Sequence, residues 1–284
     1  MPHPSTVFER DWLASRETAD HAARSQGLTD RLSDWLAEGV VGPYRLCDLG
    51  CGSGSNVRYL ASRLPAGQYW HLLDHDAGLL EEASERCRSL AGVVGLLPQQ
   101  GDLVKALEAL VPDGAALVTA SALLDLMSAP WLEQLVRCTV QRRAACLMTL
   151  SYSGEIELMP RLADDGWINR SVNAHQQQDK GSGPALGPGA WSACEAMFRR
   201  AGYRVFHEPA TWSLGASQGE LQEKLLTGWA RAVTEWRPAS AGRIARWLDA
   251  RLALVQRGES RIRVSHQDLL ALPDVPYPAA GIRW

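Results

Sequence analysis

The chain has only three phenylalanines, no cysteine pair at C-x-x-C spacing, and no apolar stretch approaching the ~18 residues a membrane-spanning helix needs. Its six cysteines, at 47, 51, 87, 138, 146 and 194, have no histidine at zinc-finger spacing. No metal cofactor is therefore expected. Several of these cysteines fall inside apolar runs, where the thiol behaves as a small hydrophobe, and a reducing cytoplasm is the expected location. The segment MPHPSTVFERDW lacks a basic start followed by an apolar run, so no signal peptide is expected. The net charge of −3 gives the chain no general attraction to nucleic acid or to an anionic membrane.

What is present is an apolar globular composition. With 284 residues, 46% hydrophobic and 21% charged, the chain has enough material for one large α/β domain with a sizeable core. Eleven tryptophans supply large apolar faces suited to cores and to small-molecule pocket walls. One stretch is basic: residues 231–263 hold eight arginines against Glu235, Asp249 and Glu259. It reads either as a solvated helix face or as a contact surface for phosphate.

Periodicity divides the chain into alternating elements. Thr6-Val7-Phe8-Glu9 has the spacing of a capping box, opening a helix that runs to about Arg24. A second helix is expected over 29–39, with Leu32, Trp35 and Leu36 on its buried side. Strands are then expected at 44–47, 69–73, 94–97, 115–119 and 144–151. Helices at 56–64, 77–87, 103–110 and 130–140 separate them, the last with Ser128 as cap. This rhythm predicts βαβ units and a doubly wound, mostly parallel sheet. Residues 153–190 break it, being polar and then Gly/Pro-rich, and read as a long irregular insertion. Beyond it come a helix at 191–201, a strand at 203–207 and helices at 218–236 and 239–257. A last strand at 261–266 has flanks compatible with an antiparallel edge.

The informative local feature is Asp48-Leu49-Gly50-Cys51-Gly52-Ser53-Gly54, placed where the first strand meets the next helix. Glycines there permit positive φ and close backbone approach to a ligand. The second strand ends in Asp74, well placed to accept from a ribose. A dinucleotide turn wants a third glycine where Ser55 stands. The G-x-G-x-G spacing instead resembles motif I of the class I S-adenosylmethionine-dependent methyltransferases. Leu72-Leu73-Asp74-His75-Asp76, Gly101-Asp102-Leu103 and Thr119-Ala120-Ser121-Ala122-Leu123-Leu124 resemble that family's next three motifs in order.

The resemblance implies a seven-stranded sheet with a helical cap over 1–40 and a methyltransferase-like domain over 41–284. Residues 153–190 would be a substrate-side insertion and 218–257 added helices. S-adenosylmethionine is the implied cofactor. Asp48, Gly50, Cys51, Gly52, Gly54 and Asn56 would line or support its methionine side, Asp74 and His75 its ribose, and Asp102 and Leu103 its adenine. Ser121 would pass beside the sulfonium.

The fourth motif departs from the Asn/Asp-Pro-Pro-Tyr type of base-amino methylation, which favours an O or N atom of a small molecule as acceptor. His175, Tyr152 and Asp125 are the candidate acids or bases. Trp12, Arg16, Asn173, Gln176 and Lys180 are candidate substrate contacts. His175 with its neighbours also reads as a self-bonded surface loop, and Arg16 with Asp20 as an ordinary surface pair. Two other functions stay open: an RNA or protein methyltransferase using the arginine-rich stretch, and a non-catalytic cofactor-binding module.

Overall fold

The computed structural model describes residues 10–181 and 183–274. The Thr6–Glu9 capping box lies outside them. Two helices come first, α1 (Arg10–Ala23) and α2 (Gln26–Gly39). The α/β succession then runs β1 (Tyr44–Leu49), α3 (Ser55–Ala61), β2 (Gln68–Asp74), α4 (Ala77–Cys87) and β3 (Val93–Gln100). It continues with α5 (Leu103–Leu110), β4 (Leu117–Ser121), α6 (Ala129–Gln141) and β5 (Ala145–Met159). The remainder is α7 (Asp165–Gln176), α8 (Ala190–Arg200), β6 (Arg204–Pro209), β7 (Trp212–Leu214), α9 (Gly219–Trp236), α10 (Ala241–Gln256) and β8 (Arg261–Leu272).

The sheet order is β3-β2-β1-β4-β5-β8-β6, with β7 also pairing β8. β3, β2, β1, β4 and β5 are mutually parallel, whereas β8 runs antiparallel to β5, β6 and β7. Strand order reverses between β1 and β4, the switch point outside which doubly wound sheets open a crevice. Both faces are covered, so successive residues enter opposite layers. Leu46, Trp70 and Leu72 pack with α2, α3 and α4 residues, and Cys47, Leu49 and Leu73 with those of α5, α6 and α8. A third cluster joins α7, α9 and α10 to β7 and the outer halves of β5 and β8 through Leu158, Trp212, Leu226, Val233, Trp247 and Ile262.

The doubly wound, mostly parallel sheet agrees with the sequence reading; several details differ. There are eight strands among the described residues, not seven, because the three-residue β7 is too short for periodicity to reveal. β8 is antiparallel but lies between β5 and β6, not at an edge. Residues 153–190 are not irregular throughout: 153–159 continue β5, and 165–176 are helical. Gly154, with φ of +97°, and register shifts at Met148/Ser151 and Tyr152/Ile156 interrupt strict alternation there. α2 starts early because Ser25 Oγ accepts from Leu28 N–H, so the cap precedes Thr29. Ser128 occupies the N-cap of α6 without a side-chain cap bond; its hydroxyl is buried and unpartnered.

Asp165 explains why α7 is held. Its carboxylate takes Leu162 N–H at 2.7 Å, Trp247 Nε1–H at 2.9 Å and the buried Arg251 guanidinium. With Arg243–Asp164, Arg257–Glu259 and Arg263–Glu157, four of the eight arginines in 231–263 are thus in ion pairs. Much of that charge braces α10 and β8, which weakens its reading as a phosphate surface. No helix among the described residues is long and apolar enough to cross a membrane.

Candidate active site

A cavity of about 550 Å³ opens at the carboxyl ends of β1, β2, β3 and β4, within the range usual for small-molecule sites. Each strand contributes the turn that follows it: Gly50–Ser53, Asp74–Asp76, Gly101–Lys105 and Ser121–Leu123. α1 closes one side with Leu13, Arg16 and Asp20, and Lys180 and Gly181 reach the other.

The glycine turn is shaped for this position. Gly50 and Gly52 have φ of +62° and +52°, in the left-handed region. A Cβ on Gly52 would meet Leu13 Cδ1 at 3.3 Å, so α1 packs directly on the turn. Cys51 lines the cavity and its N–H donates to Leu73 O at 3.0 Å, tying the turn to β2. Gly54, at φ +81°, does not line the cavity; a Cβ there would lie 2.7 Å from Cys87 Sγ, so its place is the α3–α4 contact.

Asp74 is buried at the end of β2. Its Oδ2 accepts from Gly52 N–H at 2.8 Å and its Oδ1 from Asp76 N–H at 3.0 Å, with His75 Nδ1 at 3.1 Å. A carboxylate has about four lone-pair sites, so capacity for hydroxyl donors is left. Asp76 caps α4 through Gly78 and Leu79 N–H. Asp102 is more engaged than its motif implies: Oδ1 caps α5 at Val104 N–H, and Oδ2 pairs with Lys105 at 2.7 Å. The Lys105 bond holds its carboxyl below the usual range. Asp102, Leu103, His75, Asn56 and Ser121 all line the cavity.

Asp48 sits one layer behind. It is buried, and Asn56 Nδ2 donates to its Oδ1 at 2.6 Å. Burial pushes its pKa up to about 7, against the Asn56 bond and the Arg24 charge, which favour the carboxylate.

The candidate acids and bases are not in the cavity wall. Asp125 is buried in the short turn after β4, its pKa raised to about 6 by burial and opposed by the Tyr152 backbone N–H. Tyr152 Oη donates to Asn173 Oδ1 at 2.7 Å, and Asn173 Nδ2 to Gly154 O at 2.8 Å, which fastens α7 to β5. His175 Nε2 lies 3.3 Å from Glu235 on the α9 side, and burial pushes its pKa down. Gln176 and Trp12 are also absent from the wall; Trp12 packs in the third core cluster.

Two substrate candidates do reach the cavity. Arg16 donates from Nε and Nη2 to Asp20 at 2.8 and 3.1 Å, and its guanidinium lies 5.2 Å from the Trp212 ring centre and 5.9 Å from that of Trp12. Trp212 Nε1–H in turn donates to Asp20 at 3.0 Å. The pair is therefore part of a packed aromatic cluster rather than a loose surface contact. Lys180 forms no ion pair among the described residues, and burial lowers its pKa. Sequence reading placed Leu123 in the fourth-motif loop but missed Leu13, Leu126 and Met127. The three-residue spacing of Leu123 and Leu126, which puts both on one side of a 3₁₀ turn, was the available signal.

The chain is similar to several solved structures. The cyclopropane synthase MmaA2 from Mycobacterium tuberculosis aligns over 93% of this chain and 94% of its own, with 11% identity and a TM-score of 0.49. A SAM-dependent methyltransferase from Thiobacillus denitrificans, solved with S-adenosyl-L-homocysteine, aligns over 93% and 99%, with 16% identity and a TM-score of 0.46. A geranyl diphosphate methyltransferase, solved with GPP and sinefungin, aligns over 84% and 76%, with 15% identity and a TM-score of 0.44. No protein-family model and no curated protein sequence matches the chain.

Proposed function

We propose that this chain binds S-adenosylmethionine in the cavity at the β1/β4 switch point and transfers its methyl group to an O or N atom of a small molecule. The observation that carries the reading is convergence. The positive-φ glycines after β1, Asp74 after β2, the Asp102-Leu103 turn after β3 and Ser121 after β4 line one cavity. They follow the order that the motif resemblance implies.

The residues fit such a ligand chemically. Gly50 and Gly52 leave the backbone open to close approach, and Asp74 offers acceptor capacity to vicinal hydroxyls. The cofactor, when bound, supplies an electrophilic methyl on a sulfonium. The chain's own contribution is alignment and exclusion of water. Leu13, Leu123, Leu126 and Met127 form an apolar wall, and Arg16 is bonded to Asp20 and lies over the Trp212 ring. Lys180 also lines the cavity, and burial lowers the pKa of its amine, the direction a proton acceptor needs.

Calorimetry with S-adenosylmethionine and S-adenosylhomocysteine tests the reading. Wild type binds both, and Gly52→Val, folded by circular dichroism, binds neither, because a branched side chain at φ +52° distorts the turn and meets Leu13. Equal affinity in the two proteins would remove the site from this turn. Labelled methyl taken up from a metabolite extract and not from RNA separates the small-molecule reading from the nucleic-acid one.

A further inference from the structure

Between α1 and α2 the chain buries a cation. Arg24 is 5% exposed, although a guanidinium keeps its charge at any ordinary pH. A buried cation is costly unless opposite charges and hydrogen bonds compensate it. Nη1 donates to Asn56 Oδ1 at 2.7 Å, and the guanidinium stacks 4.2 Å from the centre of the Tyr59 ring. Nε and Nη2 have no hydrogen-bond partner, and neither has the buried Asp48 Oδ2. The compensating charges are Asp268 of β8, Asp48 of β1 and Asp20 of α1. Asp268 itself accepts from Ser25 and Leu150 N–H at 2.9 and 2.7 Å.

Asn56 transmits this arrangement to the site. Its Oδ1 is taken by Arg24, and its Nδ2 donates to Asp48 Oδ1 at 2.6 Å and to Thr119 Oγ1 at 3.2 Å. Thr119 then donates to Leu147 O at 2.7 Å. Every polar group of the Asn56 amide is thus committed to neighbours. Yet the residue lines the cavity, and Asp48 lies two positions before Gly50.

We infer that Arg24 is a positioning residue for the cofactor, acting through Asn56 to hold Asp48 ionised and oriented behind the glycine turn. This rests on the proposed binding of S-adenosylmethionine, whose sulfonium and ammonium are cations that a negative charge behind the turn favours. Other groups facing Asp48 are Asp74 of β2, whose charge opposes its ionisation, and the thiols of Cys47, Cys51 and Cys87. Burial raises the pKa of all three thiols, so they stay neutral near pH 7. Arg24 is the cation joined to Asp48 through Asn56, and its charge favours the carboxylate.

Affinity for S-adenosylhomocysteine, measured by calorimetry from pH 5.5 to 9, tests the inference. Wild type gains affinity as pH rises through about 7, where Asp48 ionises. Arg24→Gln removes the charge and, because its amide ends two bonds short of Nη1, the bond to Asn56 Oδ1 as well. Its midpoint moves up by roughly one pH unit, since a nearby opposite charge lowers a carboxyl pKa by about 1–3 units. At pH 7 that reduces affinity about fivefold through the smaller ionised fraction, and the deficit closes toward pH 9. Arg24→Lys keeps the charge and the wild-type midpoint. Asp48→Asn flattens the profile, a result that tests the inference even where Arg24→Gln fails to fold. A purely structural Arg24 would lower affinity equally at every pH in both variants, and that outcome, or a pH-7 midpoint persisting in Asp48→Asn, overturns the inference. Binding of neither cofactor by wild type overturns the functional reading and this inference together.

Discussion

The backbone N–H of Gly52 donates to Asp74 Oδ2 across 2.8 Å, joining the glycine turn to the end of β2. Asp74 thus preorganises the turn and also faces the cavity. Replacing it with alanine removes a charged acceptor and frees the Gly52 N–H. Hydrogen bonds to charged groups contribute about 1.5–3 kcal/mol, so S-adenosylmethionine affinity should fall on the order of 10–100-fold. Asp74→Asn, which retains one acceptor oxygen, should lose less. Calorimetry on both variants checks this, and an unchanged dissociation constant in Asp74→Ala would contradict it.

Gly54 has a packing role that its motif position conceals. A methyl group there meets Cys87 Sγ at 2.7 Å and Ala83 Cβ at 3.2 Å, at a φ of +81°. Gly114 has a similar φ of +72° with nothing within 4 Å of the same position. Gly114→Ala should cost about 1 kcal/mol of stability from backbone strain alone. Gly54→Ala should cost roughly 2–4 kcal/mol, because overpacking adds to that strain. Urea unfolding of the two variants gives the comparison, and equal losses would show that the α3–α4 contact yields easily.

Asp125 offers a test by pH. Its folded pKa of about 6 lies above the ordinary carboxyl value of 3.8, so the folded state binds the extra proton. Stability therefore falls as pH rises through the interval between those values, and the full penalty is present above it. Asp125→Asn removes the penalty. The variant should exceed wild type in unfolding free energy by about 2–3 kcal/mol at pH 8, with the gap closing toward pH 4. Denaturant melts at several pH values measure it. Since Asp125 lies outside the cavity wall, methyl transfer should change by no more than a few-fold; a loss of a hundredfold or more would give it a direct part in the chemistry.

The glycine turn and the alternation of β1 through β5 were legible because both are local. Positive φ needs glycine within a few residues, and a strand buried on both faces declares itself as an apolar run such as Leu46-Cys47. The second half of β5 was not legible. Its bulges near Leu150 and Gly154 break the period of two, and its partner β8 lies more than a hundred residues later.

The sequence by itself determined where a glycine-rich turn stands and which acidic residues lie at or just after the ends of the next two strands. Only the tertiary structure decided what those residues face. Gly50, Gly52 and Asp74 enter the cavity, Gly54 turns to α4, and Asp48 stands behind the wall with Arg24, the two bridged by the cavity-lining Asn56. His175 pairs with Glu235 on α9, while Arg16 and Lys180, more than 160 residues apart in sequence, line the same cavity. Backbone conformation at a turn is set by neighbours in sequence; the burial of a charge, and its partner, are set by elements brought together only when the sheet closes.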